Sequence, residues 1–323
     1  MTDSRTLTFD SNTLIQDVVG PDSDNLRRVE EWLGVRIASR GNALSVEGPA
    51  AAVESAETAL ESLYERARRG TPPEPADVDA ALRLAESGQQ AESVGDDLRI
   101  VTKRRRITPR SPGQAALMRA MQSHELVFAT GPAGTGKTYL AVAQAVAMML
   151  EGRVDRIILS RPAVEAGERL GFLPGDLREK VDPYLRPLYD ALYDSLPSEQ
   201  VHRRMAHGDI EVAPLAFMRG RTLSSAFVIL DEAQNTTPMQ MKMFLTRLGE
   251  NARMVVTGDL TQVDLPKGAV SGLTDAMSIL RDVDGVDFVH LGRQDVVRHD
   301  LVTRIVNAYE ARDKADEDKE SPA

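Results

Sequence analysis

Eight consecutive residues, Gly131 to Thr138, have the spacing G-x-x-x-x-G-K-[ST] of a phosphate-binding loop. An apolar run at 126–129 precedes the loop and an alanine-rich segment at 139–150 follows it, which predicts a strand before and a helix after. Glycines allow backbone N–H groups to turn inward, and the N-terminus of a helix attracts phosphate oxygens. The alternative, a glycine-rich turn that caps an ordinary helix, is disfavoured because the eight positions and both flanks agree. The residues predicted to contact a nucleoside triphosphate are Gly131, Pro132, Ala133, Gly134, Thr135, Gly136, Lys137 and Thr138.

Two side chains of this loop and two acidic residues further along the chain have the types that ATP hydrolysis with Mg²⁺ requires. Lys137 is predicted to reach the β- and γ-phosphates of ATP, and the hydroxyl of Thr138 to ligate Mg²⁺. A buried-strand pattern at 227–230 ends in Asp231 and Glu232. Asp231 is predicted to hold Mg²⁺, usually through water, and Glu232 to act as the general base for the attacking water. The alternative for this pair is a strand that ends in a helix N-cap.

Four further polar residues are candidates for the same site, each with an ordinary alternative. Gln262 follows another strand pattern and could contact the γ-phosphate or the attacking water, or only satisfy its loop. Gln114 precedes the first core strand, and its amide could read the N6/N7 edge of adenine. Arg298 could be an arginine finger or could flank a helix. Arg161 ends a strand, and contact with nucleic acid and contact with an acidic loop both stay open.

Residues 1–70 are predicted to form a small α+β domain of their own. The order strand–helix–turn–helix–hairpin–helix resembles a KH domain, an RNA-binding module whose G-x-x-G loop clamps the nucleic-acid backbone. The corresponding loop here begins at Gly20, but Ser23 stands at the position of the second glycine. Asp22 and Asp24 also lie where phosphate would approach. Direct RNA binding by this loop and a KH-like fold kept for docking or assembly are therefore both open.

The remaining chain divides into three predicted segments. Residues 71–106 are predicted to be a linker with a short helix at about 76–86 and the basic cluster Lys103–Arg106, which is either a solvated strand edge or a binding site. Residues 107–310 alternate apolar strand patterns with helical segments, which is typical of an α/β core with a mostly parallel sheet. Residues 311–323 are acidic and lack a stretch of apolar residues, so a disordered tail is expected.

Composition excludes several classes of protein. The net charge of −10 argues against coating of nucleic acid by the whole surface, although a local basic channel is compatible with it. No apolar stretch approaches the roughly 20 residues of a membrane span, and no signal segment opens the chain, so a cytoplasmic protein without membrane contact is expected. The absence of cysteine excludes disulfides, and five scattered histidines give no zinc pattern.

Taken together, these motifs resemble the PhoH family of P-loop ATPases, whose core is similar to the ATPase core of superfamily 1 helicases. The resemblance covers 107–309. Its most specific block runs from Arg161 to Asp176 and continues at 179–184. The other family blocks are 231–235, 258–262 and 295–299.

The resemblance implies a RecA-like P-loop NTPase core, ATP hydrolysis with Mg²⁺, a cytoplasmic location and a part in RNA metabolism, with single-stranded RNA as the expected partner. It also implies a homo-oligomeric ring, in which Arg298 could act on a neighbouring subunit. Some relatives carry an N-terminal nuclease domain. The carboxylate cluster that such a domain needs is absent here, because residues 1–70 resemble a KH domain instead, so any RNA cleavage would come from a partner ribonuclease.

Two functions from different classes follow. The first is an RNA-associated, helicase-like ATPase that remodels RNA or an RNA–protein complex. The second is a nucleotide-switched assembly or docking ATPase without RNA remodelling, which the overall acidity and the acidic loop at Gly20 favour. A small-molecule kinase is disfavoured because Glu232 suits activation of water.

Replacement of the loop lysine tests the nucleotide site. Lys137→Ala should weaken ATP binding and abolish turnover, because the ammonium that neutralises phosphate charge is lost. Titration with a fluorescent ATP analogue and assay of released phosphate measure both effects. Lys242→Ala, outside the motifs, is the matched control; equal ATP affinity in the two variants would contradict the assignment.

Overall fold

The computed structural model describes residues 2–70, 72–86, 98–162, 177–266 and 268–297, together with positions 302, 305 and 309. The side chains of residue 2 and of 177–184 are not among those described. The predicted acidic tail and most of the family block after Arg161 lie outside these residues.

The first domain is a three-stranded antiparallel sheet covered by helices. The strand order is β1-β3-β2, and the hairpin predicted around Gly41 and Asn42 joins β2 to β3, with Ile37 opposite Val46. Leu44 and Val46 of β3 are fully buried beneath the helices. The elements are β1 (Thr2–Thr8), α1 (Asn12–Val19), α2 (Asp24–Leu33), β2 (Arg36–Arg40), β3 (Ala43–Pro49) and α3 (Ala50–Arg68).

A further helix, α4 (Pro75–Glu86), belongs to this domain rather than to a linker. Val78, Ala81 and Leu82 are buried in the core formed by α1–α3 and the sheet. Asp77 adds an ion pair of 3.1 Å to Arg66 of α3. The part of the predicted linker (71–106) that forms α4 therefore belongs to the first domain. The apolar positions of α4 recur at helical spacing and form a face that has to be buried.

The turn between α1 and α2 has an unusual backbone conformation. Gly20, Asp22 and Ser23 all have positive φ angles, of 74°, 50° and 61°. Ser23 occupies the N-cap position of α2, but its side chain makes no capping hydrogen bond. Asp22 and Asp24 are exposed, and their negative charges disfavour the approach of a phosphate group to this turn. The element order matches the sequence prediction, whereas the KH-like assignment and RNA contact stay predictions.

The second domain contains a six-stranded parallel sheet in the order β11-β6-β10-β9-β7-β8. Strands β6 and β9 are buried at every position, as expected for central strands with helices on both faces. Apolar cores lie on the two sides of the sheet. The elements are β4 (Ile100–Val101), β5 (Arg106–Ile107), α5 (Pro112–Ser123), β6 (Leu126–Thr130), α6 (Lys137–Leu150), β7 (Arg156–Arg161), α7 (Leu177–Ser195), α8 (Ser198–His207), β8 (Ile210–Pro214), β9 (Ala226–Leu230), α9 (Pro238–Leu245), β10 (Arg253–Gly258), α10 (Gly272–Ile279) and β11 (Val286–His290).

Part of the basic cluster Lys103–Arg106 is engaged in packing. Arg105 forms an ion pair of 2.9 Å with Asp194 of α7, and Arg104 donates to the carbonyl of Tyr193. Tyr139 of α6 donates a 2.7 Å hydrogen bond to the same Asp194, and burial together with this bond raises the pKa of its phenol to about 12. These contacts tie the β4–β5 hairpin to α6 and α7, so the strand-edge interpretation accounts for two of the four basic residues.

Truncation of a buried side chain tests whether α4 belongs to the first domain. Leu82→Ala should lower the free energy of unfolding of that domain by about 2–5 kcal/mol, because it removes buried methyl groups and leaves a cavity. Urea unfolding followed by hydrogen exchange of residues in α2 and α3 measures the loss. Ile279→Ala, at a side chain that is 67 % exposed, should change stability by less than about 0.5 kcal/mol.

Candidate functional site

The phosphate-binding loop connects β6 to α6, as the sequence predicts. Gly131 has a φ of 145°, and a Cβ there would lie 2.2 Å from the carbonyl oxygen of Leu291. Gly136, at a φ of 83°, is the N-cap of α6. Both positions require glycine, because a side chain would be strained at one and would collide with backbone at the other. The loop therefore presents its backbone at the start of a helix, which is a suitable cradle for phosphate.

Lys137 is 8 % exposed as a whole residue, and its ammonium group lies on this loop. Its Nζ donates to the carbonyl oxygens of Gly131, at 2.6 Å, and Pro132, at 2.9 Å. It also lies 3.3 Å from the hydroxyl of Thr135. A buried cation held over the loop backbone is consistent with the predicted contact of Lys137 with the β- and γ-phosphates of ATP.

The carboxylate of Asp231 joins three elements at the carboxyl end of the sheet. Its Oδ1 accepts 2.6 Å hydrogen bonds from the hydroxyls of Thr138 on α6 and Thr257 on β10. Carboxylate and hydroxyl oxygens are ligands that Mg²⁺ accepts, with water and substrate phosphate completing its coordination. Among the described residues, no group of three or more His, Cys, Asp or Glu side chains is arranged so that it could hold a metal ion by itself. Thr138 and Asp231 together thus fit the partial protein ligation that is usual for Mg²⁺ bound with a nucleotide.

Glu232 has both carboxylate oxygens engaged. Its backbone is left-handed, with a φ of 53°. Oε1 lies 3.0 Å from Nη2 of Arg161 at the end of β7, and Oε2 accepts a 2.6 Å hydrogen bond from Gln234. Of the two alternatives left open for Arg161, the structure shows contact with an acidic loop.

Gln234 is a site residue that the sequence analysis did not single out. Its side chain is fully buried, and its Nε2 donates both to Glu232 and, at 3.1 Å, to the backbone carbonyl of Gln262. Its Oε1 accepts from the backbone N–H of Asp259. Gln234 therefore fixes the distance between the loops that follow β9 and β10. The only sequence signal was its place in the 231–235 block.

Gln262 reaches this network through its backbone, while its side chain is exposed. Because the side-chain amide is exposed, it is accessible for the predicted contact with the γ-phosphate or the attacking water. That role stays a prediction.

Gln114 lies behind the phosphate loop. Its Oε1 accepts a 2.8 Å hydrogen bond from the backbone of Arg110, and its Nε2 donates at 3.0 Å to the carbonyl of Thr135. The side chain is 5 % exposed. In this arrangement Gln114 supports the phosphate-binding loop. Reading of adenine by Gln114 stays a prediction, and it would require the amide to exchange these two backbone hydrogen bonds for bonds to the base.

The segment after β11 is anchored to the same loop. Asp295, which is 2 % exposed, accepts hydrogen bonds from the backbone of Gly113 at 2.9 Å and Gly292 at 2.7 Å. Val297 donates 3.0 Å to the carbonyl of Gly134. Arg298 itself lies outside the described residues, so its role as a finger stays a prediction.

Comparison with known proteins gives one consistent family. The family model described as PhoH, PhoH-like protein, matches residues 106–310. The chain is 50 % identical to the PhoH-like protein of Bacillus subtilis strain 168, over 88 % of this chain and 90 % of that protein. It is 49 % identical to the PhoH-like protein of Synechocystis, over 91 % and 90 %. Protein PhoH of Escherichia coli K12 is 49 % identical over 63 % of this chain and 58 % of that protein.

Removal of the Gln234 amide tests its positioning role. Gln234→Ala should lower kcat for ATP about tenfold while leaving the Kd for ATP nearly unchanged, because Glu232 loses one of its hydrogen bonds but the phosphate loop keeps its own. Single-turnover hydrolysis and nucleotide titration separate the two quantities. Gln200→Ala on α8 is the control. A loss of ATP affinity as large as the loss of kcat would contradict the prediction.

Proposed function

The chain belongs to the PhoH-like protein family, as its motifs predicted, and we propose that it hydrolyses ATP with Mg²⁺ and couples hydrolysis to the binding or remodelling of RNA. One observation carries the ATPase part of this proposal. The phosphate loop, the Thr138–Asp231 pair and Glu232 meet at the carboxyl ends of β6 and β9, the two parallel strands that flank β10. Ligands of open α/β sheets bind at that edge.

The proposed mechanism assigns a separate task to each group. The loop backbone and Lys137 bind and orient the triphosphate, and Thr138 and Asp231 would hold Mg²⁺. Bound Mg²⁺ would supply positive charge to the β- and γ-phosphate oxygens. Glu232 orients the attacking water and accepts its proton. Gln262 and Arg298 are proposed to stabilise the transferred phosphoryl group, and Gln114 to read adenine once its two backbone hydrogen bonds are exchanged.

The RNA part of the proposal is supported by the first domain and by family context. The βααββα order of that domain is the order that suggested a KH-like module. Lys103 and Arg106 remain as exposed positive charge in the basic cluster. Single-stranded RNA is the partner proposed, together with assembly into a homo-oligomer that places Arg298 on a neighbouring subunit, and a separate ribonuclease for any cleavage.

A cytoplasmic location is part of the same proposal. Within the described residues, the structure contains no helix with the length and apolar character needed to traverse a bilayer.

The second candidate is an ATPase that switches assembly or docking. The exposed aspartates Asp22 and Asp24 in the turn of the first domain favour it, since they oppose phosphate. An ATP-dependent change in mass, measured by light scattering without RNA, would support this candidate. A mass that is the same with and without ATP would exclude it.

A conservative change of the proposed base tests the ATPase assignment. Glu232→Gln should still bind ATP but hydrolyse it about 10²–10⁴-fold more slowly, because only the proton acceptor is lost. Phosphate release and nucleotide titration measure the two properties. Glu199→Gln, an exposed position on α8, is the control. Wild-type turnover in Glu232→Gln would show that another group is the base.

The same assay with single-stranded RNA tests the coupling. RNA should stimulate hydrolysis by the wild type, and the stimulation should weaken as salt rises, because contacts to the phosphate backbone release counterions. Hydrolysis that is indifferent to RNA at low and moderate salt would leave the assembly ATPase as the better proposal.

A further inference from the structure

The proposed base is held in a state unsuited to its task. One oxygen of Glu232 faces the guanidinium of Arg161 at 3.0 Å, and the other accepts a hydrogen bond from Gln234. A general base must lie within hydrogen-bond reach of the water whose proton it takes. A carboxylate paired with a cation on one oxygen and an amide on the other is a weaker acceptor for that water. Turnover therefore requires one of the two oxygens to exchange its partner for the water, while the contact on the other oxygen keeps the carboxylate oriented.

The two partners differ in how easily they can yield. Gln234 is fully buried and fixed on its far side by Asp259 and Gln262. The side chain of Arg161 is 21 % exposed and that of Glu232 is 34 % exposed, so their ion pair lies partly in solvent. Ion pairs in such positions contribute little net stability. Arg161 is thus the exchangeable partner.

The position of Arg161 indicates what would displace the pair. It is the last residue of β7, and β7 pairs directly with β9, the strand that immediately precedes Asp231, the proposed Mg²⁺ ligand. A guanidinium at this edge presents a planar set of donors that matches a phosphate as well as a carboxylate. A phosphate arriving at the carboxyl end of β7 would therefore compete with Glu232 for the same cation.

We propose that Arg161 restrains the base Glu232, and that a phosphate group which binds the Arg161 guanidinium frees a carboxylate oxygen for the attacking water. This inference rests on the proposed function, because it takes Glu232 as the base. The phosphate can belong to the γ-position of bound ATP or to the backbone of single-stranded RNA. The chemistry at Arg161 is the same for both sources, and the experiment distinguishes them.

Competition for one cation has a thermodynamic signature that does not depend on turnover. Glu232 and the phosphate ligand compete for the Arg161 guanidinium, and such coupling is reciprocal. Removing the charge of Glu232 should therefore tighten binding of the phosphate ligand. Glu232→Gln should therefore bind that ligand about two- to fivefold more tightly than the wild type, in keeping with a partly exposed ion pair. In an Arg161→Gln background the same change should have no such effect.

The experiment compares four chains, namely wild type, Glu232→Gln, Arg161→Gln and the double variant. Each is titrated with a fluorescent non-hydrolysable ATP analogue and, separately, with fluorescein-labelled oligo-uridine. Arg156→Gln removes an arginine from the opposite end of the same strand and is the matched control. Circular dichroism melts verify that each chain is folded, and Arg161→Lys, which keeps the charge, should retain part of the coupling.

The outcomes separate cleanly. If Glu232→Gln binds oligo-uridine more tightly only when Arg161 is present, RNA is the source of the phosphate. If Glu232→Gln binds the ATP analogue more tightly only when Arg161 is present, ATP is the source. Equal tightening with and without Arg161 would show simple charge repulsion by Glu232 and would overturn the inference, as would no tightening of either ligand. Failure of the wild type to hydrolyse ATP would contradict the proposed function instead, and is measured independently.

Discussion

The hydrogen bonds of Asp231 set the geometry on which the rest of the site depends. A single carboxylate oxygen accepts from Thr138 at the start of α6 and from Thr257 near the end of β10. The phosphate loop, the strand that carries the acidic pair and the strand that precedes the 258–262 block are thereby held in one register. Asp231 is 4 % exposed as a residue, so these bonds form largely away from bulk water, where an unpaired carboxylate would be costly.

Close backbone approach is the second constraint, and it explains where glycine is needed. Gly131 fits between the strand ends because the Leu291 carbonyl leaves no space for a Cβ, and a Cβ at Gly113 would lie 2.5 Å from the carboxylate of Asp295. Through the first contact the segment after β11 packs against the phosphate loop, and through the second the start of α5 is joined to that segment. The loop is consequently supported by Gln114, which donates to the carbonyl of Thr135, and by Val297, which donates to the carbonyl of Gly134.

The sequence was sufficient to predict those features whose physics is local. A strand–loop–helix with glycines at fixed spacing, an acidic pair after a buried strand, and a hairpin around Gly41 are each specified by neighbouring residues. The sequence did not reveal that α4 joins the first domain, because its partner surface is created by tertiary packing. Gln234 was missed for the same reason, and contact of Arg161 with an acidic loop was one of two open alternatives, because both roles arise where the ends of three strands meet. At Gln114 the sequence suggested a contact with adenine, whereas in the structure the side-chain amide bonds the backbone of Arg110 and Thr135.

The strand order has a consequence for how the chain acquires this site. The loop strand β6 pairs with β10 and β11, and Thr130 contacts His290, 160 residues further along the chain. Pairings between such distant segments close slowly, since the entropy of a long loop has to be overcome before contacts form. During synthesis the phosphate loop would thus emerge early yet lack its supporting neighbours until most of the chain has left the ribosome. Nucleotide binding would then be a late event in folding, and nascent chains would expose the apolar edges of β6 to aggregation or to chaperones in the meantime.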